Sequence, residues 1–105
     1  MTKRNAPCTM AAEIDEQFFE TPGAVRIVID AEDRLPCGVN FCCPCGCGLV
    51  GAMNFIGRGR GGPEWTVIGE WPNVSMTPSI GFYGRNRDGT HHWHGFLTNG
   101  VFEEC

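Results

Sequence analysis

The side chains in this sequence best equipped for chemistry are its thiols and imidazoles, and they fall into two short runs. Five of the seven cysteines lie between Cys37 and Cys47, and all three histidines lie between His91 and His94. Zinc takes four tetrahedral ligands from thiolate and imidazole, usually as two short pairs that the fold brings together. Cys45 and Cys47 form a C-x-C pair, and His91 and His94 form an H-x-x-H pair. These four residues are the preferred metal site, with zinc as the cofactor. Competing ligands remain open. Cys43-x-Cys45 is a second close pair, Cys42-x-x-Cys45 has zinc-knuckle spacing, and in a strand His92 and His94 share a face. Cys42, Cys43 and His92 are therefore the alternative ligands.

A four-ligand zinc has no open position and activates no water. A catalytic zinc would need a neighbouring general base. No acidic residue lies between Asp33 and Glu64, so none adjoins the thiols in sequence. Asp88 precedes His91 by three residues and could orient a histidine, but Asp88-Gly89 reads first as a turn. The zinc deaminase pattern is also missing, because Pro44-Cys45 is followed by Gly48 where the second cysteine should fall. These readings assign no catalytic residue and make the protein a non-enzymatic one.

The elements that must position the ligands are short. Gly 15 and Pro 7 in 105 residues exclude a long-helix bundle and favour strands joined by tight turns. Residues 1–9 read as a flexible terminus and residues 10–105 as a single zinc-binding domain. Met10–Glu20 can supply one short helix before Pro22-Gly23. Ala24–Asp30 is the clearest strand, rich in β-branched residues. Val39–Cys43 and Leu49–Ile56 flank Cys45-Gly46-Cys47-Gly48, a hairpin with thiols at its tip. Trp65–Glu70 and Val74–Met76 are further strands, and Thr98-Asn99-Gly100 marks a final hairpin between His91–Leu97 and Val101-Phe102. The expected fold is a mostly β, compact, antiparallel sandwich-like domain of about six short strands, stabilised by one zinc site.

The formal net charge of −4 disfavours a protein that wraps a nucleic-acid backbone. No apolar run is long enough to span a membrane, and an odd number of cysteines with no apolar leader before them points to the reducing cytoplasm. Gly57–Pro63 carries Arg58 and Arg60 in a glycine-rich loop; with Arg85, Arg87 and Trp71 it makes a candidate binding surface. Oligomeric state is open.

Cys45-Gly46-Cys47-Gly48, the segment Ser75-Met76-Thr77-Pro78-Ser79-Ile80-Gly81, and His94 before Leu97-Thr98-Asn99-Gly100 together resemble a family of small uncharacterised bacterial and bacteriophage domains. Some of its members are encoded near ubiquitin-like conjugation genes. Its pattern has a Cys-Gly-Cys-Gly turn, a Leu-x-Pro-Ser-Ile/Val segment and a Cys-x-x-His-x-x-Ile stretch before an Asn-Gly turn. The resemblance implies a zinc site on Cys45, Cys47 and His94, with His91 where the family carries its late cysteine. The expectation is a zinc-stabilised adaptor, phage-encoded and engaging a host protein through protein–protein interaction. The first alternative is a nucleic-acid accessory protein using the Gly/Arg loop; the second is a small zinc-dependent hydrolase.

Overall fold

A computed structural model describes residues 3–82 and 92–105. Among these residues nine strands and one helix run in the order β1 (Ala6–Pro7), β2 (Thr9–Met10), α1 (Glu16–Glu20), β3 (Ala24–Ile29), β4 (Pro36–Cys42), β5 (Val50–Phe55), β6 (Glu64–Ile68), β7 (Ser75–Gly81), β8 (His94–Thr98) and β9 (Val101–Glu104). The domain is mostly β with one short helix, as its composition requires. It is not a six-stranded sandwich. Neighbours pair in the order β1-β9-β8-β7-β6-β5-β4-β3-β2, so the sheet curls into a nearly closed barrel.

Closure depends on the N-terminal segment. β1 pairs with β9 at one edge and β2 pairs with β3 at the other, and only Cys8 separates them. The Cys8 amide donates to the Gly100 carbonyl at 2.8 Å, and the Thr9 amide donates to Gly23 at 3.1 Å. One short stretch thus bridges both edges and removes unpaired strand groups that would otherwise need solvent or a partner. The sequence masks this role, because Ala6–Met10 has neither alternation nor a β-branched run.

Period-2 alternation builds the barrel interior from Val25, Val39, Phe41, Met53, Met76, Ile80, Trp93, Leu97 and Phe102, all buried. The helix is shorter than its pattern suggests, because Asp15 caps it by accepting from the Phe18 amide. Its Phe18 packs outside the barrel on Ala24 and Cys42. At the last hairpin, Asn99 takes a φ of 47° and Gly100 of 81°, the left-handed pair that a tight Asn-Gly turn demands.

Candidate metal centre and serine–histidine pair

Alternation along β4 decides which thiols meet. Phe41 and Cys43 face the barrel core, whereas Cys42 faces α1, with its Sγ 3.6 Å from the Phe19 carbonyl. The chain leaves β4 through Pro44 and turns at Gly46 and Gly48, whose φ values of 87° and 83° are strained for any side-chain-bearing residue. This turn sets Cys43, Cys45 and Cys47 around one point. His92 comes from the segment entering β8.

Cys43 Sγ lies 3.2 Å from Cys45 Sγ and 3.4 Å from His92 Nε2, and Cys47 Sγ lies 3.1 Å from the same nitrogen. All four ligand atoms fall within 4.8 Å of one another. A zinc tetrahedron with Zn–S near 2.3 Å has edges of roughly 3.5–3.8 Å, so a small expansion of this cluster accommodates the ion. Three soft thiolates and one imidazole form a donor set that suits zinc. The cluster can therefore coordinate a metal ion.

Burial pushes the Cys43 and Cys45 thiols up, because a thiolate loses hydration there. A bound cation would reverse that preference by stabilising the deprotonated sulfurs. Arg4 stands close by. Its guanidinium pairs with Glu104 and donates to the His92 carbonyl at 2.9 Å. Its pKa is raised first by the hydrogen bond to Glu104 and also by the charge of Cys45 and Cys43. The His92 ring lies against Phe82, with centroids 4.8 Å apart.

The sequence-expected site residues distribute as follows. Cys45 and Cys47 belong to the cluster, and so do Cys43 and His92, the alternative ligands. Cys42 is turned away beneath α1. His91 lies outside the described residues, as does Asp88. His94 stands elsewhere: it is exposed on the outer face of β8, with Nε2 3.0 Å from Ser79 Oγ.

That second pair owes its geometry to an irregularity in β7. Met76 pairs with Leu97 and Ile80 with Gly95, so four steps of β7 oppose two steps of β8. The two additional residues keep Met76 and Ile80 on the core face while Thr77-Pro78-Ser79 bulges out of the ladder. Pro78 suits this position, since it has no amide to give to a ladder. The bulge aims Ser79 at His94. Gly81, opposite His94, leaves room for the ring: a Cβ there would lie 3.2 Å from His94 Cδ2. Ser75, the chain's other serine, is spent on the hairpin, where its Oγ accepts from the Asn99 amide at 2.9 Å.

A serine hydroxyl within about 2.6–3.2 Å of an imidazole nitrogen has the arrangement of an activated nucleophile. The model of a family described as bacterial ubiquitination-like system serine protease (BubE) matches residues 11–105. The chain belongs to the BubE family. No curated protein and no solved structure matches it.

This membership corrects three expectations. The chain's family is a named serine-protease family, not an uncharacterised zinc-binding one. Its description points to an enzyme, against the reading of a non-enzymatic adaptor whose product is protein–protein interaction. Hydrolysis, held only as the second alternative, fits the family better than either of the other readings.

Reading His94 as a metal ligand leaves no base free for a serine, and this obscures an enzymatic reading. The signal was present: the chain has two serines, and Ser79 stands in the same Pro-Ser-Ile segment that carried the resemblance.

The candidate binding surface also changes character. Arg58 forms ion pairs with Asp33 and Asp30, and Arg60 lies 3.5 Å from Asp30, so both loop cations are matched by carboxylates of the β3–β4 turn. Trp71 stacks on Phe55 with centroids 6.3 Å apart. Arg85 and Arg87 lie outside the described residues.

Proposed function

We propose that this chain is a serine peptidase in which Ser79 is the nucleophile and His94 the general base, acting on a protein or conjugate of a bacterial ubiquitination-like system. The single observation that carries the assignment is the 3.0 Å contact between Ser79 Oγ and His94 Nε2 in a member of a family described as serine proteases. His94 Nε2 accepts the hydroxyl proton as Oγ attacks the scissile carbonyl. The resulting imidazolium then donates that proton to the leaving amine, and water attacks the acyl-enzyme with the same imidazole as base. For Nε2 to accept, the neutral ring must carry its proton on Nδ1. Among the described residues, the Ser79 hydroxyl is the side-chain partner of the His94 ring.

Cys43, Cys45, Cys47 and His92 would hold a structural zinc. Bound there, the ion supplies a crosslink between the β4–β5 turn and the segment entering β8, residues that lie 45 or more positions apart. Four protein donors would leave no coordination position for a water, so the ion would be structural and the chemistry would rest with Ser79 and His94. Reduced thiols favour the cytoplasm as the working compartment.

The deciding experiment is covalent labelling of the zinc-loaded protein by a fluorophosphonate probe, with mass spectrometry of the adduct. Labelling at Ser79 that disappears in Ser79→Ala and in His94→Ala supports the assignment. An unlabelled wild type, or an adduct elsewhere that survives Ser79→Ala, refutes it.

A further inference from the structure

Ser79 stands where the sheet gives its backbone little support. On the β6 side, Ile68 pairs with Ser75, Val67 with Met76 and Thr66 with Thr77. Continuing that register would set Trp65 against Pro78 and Glu64 against Ser79, but the pairing ends at Thr66 and Thr77. On its other edge β6 pairs Glu64 with Asn54 and Trp65 with Phe55 of β5, and the Trp65 carbonyl accepts from the Ile56 amide at 2.9 Å. On the β8 side the bulge interrupts the ladder between Met76 and Ile80. The Ser79 carbonyl nevertheless has a donor. The indole Nε1–H of Trp65 reaches it at 3.3 Å, while the rest of that half-buried ring packs on the barrel core.

We infer that Trp65 is a positioning residue for the nucleophile: its indole N–H replaces the missing ladder bond and fixes the backbone on which Ser79 Oγ faces His94. The inference rests on the Ser79–His94 reading of the site. A backbone carbonyl held by one directional bond to a ring that is itself locked by packing cannot swing the bulge outward. Removing the N–H frees the bulge and lengthens the Oγ···Nε2 contact in the average state. Small misplacements of this kind lower reaction rates without altering which groups react.

The test is the saturation kinetics of fluorophosphonate labelling in the zinc-loaded protein, comparing wild type with Trp65→Phe across neutral pH. The expected result is a maximal labelling rate about tenfold lower. The half-saturating probe concentration, the pH midpoint of the reaction and the metal content should stay as in the wild type. A Trp65→Phe protein that labels at the wild-type maximal rate overturns the inference, as does one in which the pH midpoint or metal content moves with the rate. Should Trp65→Phe fail to fold, 3-benzothienylalanine at position 65 keeps the ring and deletes only the donor, and the same two outcomes decide. Failure of the parent reading is distinguishable, because the wild type itself would then leave no adduct on Ser79.

Discussion

Two histidines separated by one residue stand in two different surroundings. His92 is buried, held between Cys43 and Cys47 with its ring tilted against Phe82; His94 is exposed on the outer face of β8 and touches Ser79. In the first environment His92 joins three thiols around one point, a set that could coordinate a metal ion. The second presents a single polar contact to solvent, where a substrate carbonyl can approach. Trp93 keeps them apart: it is fully buried, and its indole donates to the Arg4 carbonyl at 2.8 Å. The comparison teaches that identical side chains two positions apart are open to different chemistry according to how many fixed partners surround them.

Breaking the exposed pair alone should have the largest effect on activity. Ser79→Ala or His94→Ala is expected to lower hydrolysis by about 10³-fold or more while leaving thermal unfolding and zinc content unchanged. Elemental analysis beside a rate assay checks this, and zinc lost from His94→Ala would mean that the two sites are not separate.

Breaking the buried cluster should instead strike the fold. Cys43→Ser or His92→Ala is expected to abolish stoichiometric zinc and cost about 3 kcal/mol or more, lowering Tm by roughly 12 °C or more for a domain of this size. Activity would fall as a consequence. Calorimetry with and without a chelator measures the effect, and an unaltered Tm after zinc removal would contradict a structural metal.

A smaller change sharpens the exposed site further. Gly81→Ala would put a methyl group 3.2 Å from His94 Cδ2, tighter than ordinary contact. The ring must give way by a few tenths of an ångström, and kcat should drop about tenfold with zinc content preserved.

The smallest expected effect lies in the Arg4–Glu104 pair that flanks the metal segment. The hydrogen bond from Arg4 holds the Glu104 carboxyl below its ordinary pKa, against the opposing effect of burial. In the window between the folded and unfolded pKa values the unfolded chain binds more protons, so stability rises with pH there. The contribution is complete above the unfolded value and is lost as pH falls through the depressed folded value. Glu104→Gln should therefore flatten the acid limb of a Tm-against-pH profile and leave neutral-pH zinc binding intact.

Much of this was legible in the residues. The C-x-C turn between two strands, the Asn-Gly hairpin and the concentration of thiols and imidazoles all predict a metal-crosslinked β domain. The choice among ligands was not. Cys42 and Cys43 are indistinguishable by type, and only the pleat of β4 sends one beneath α1 and the other toward His92. His92 and His94 would share a face within a strand, but β8 begins at His94, so strand alternation does not reach His92. Closure of the barrel by Ala6–Met10 was equally hidden, since two-residue strands leave no periodic signal.

The sequence by itself determined the chemistry available: cysteines and histidines in two clusters, two serines, and a glycine- and proline-rich chain that must fold as short strands. Those properties are local, set by residue type and by spacing along the backbone. Only the tertiary structure decided which histidine joins the thiols and which faces a serine. That choice depends on strand register, and above all on the two residues by which β7 outruns β8. A displacement of that even length leaves the inward and outward pattern unchanged, so it writes nothing into hydrophobic periodicity while bringing Ser79 to His94.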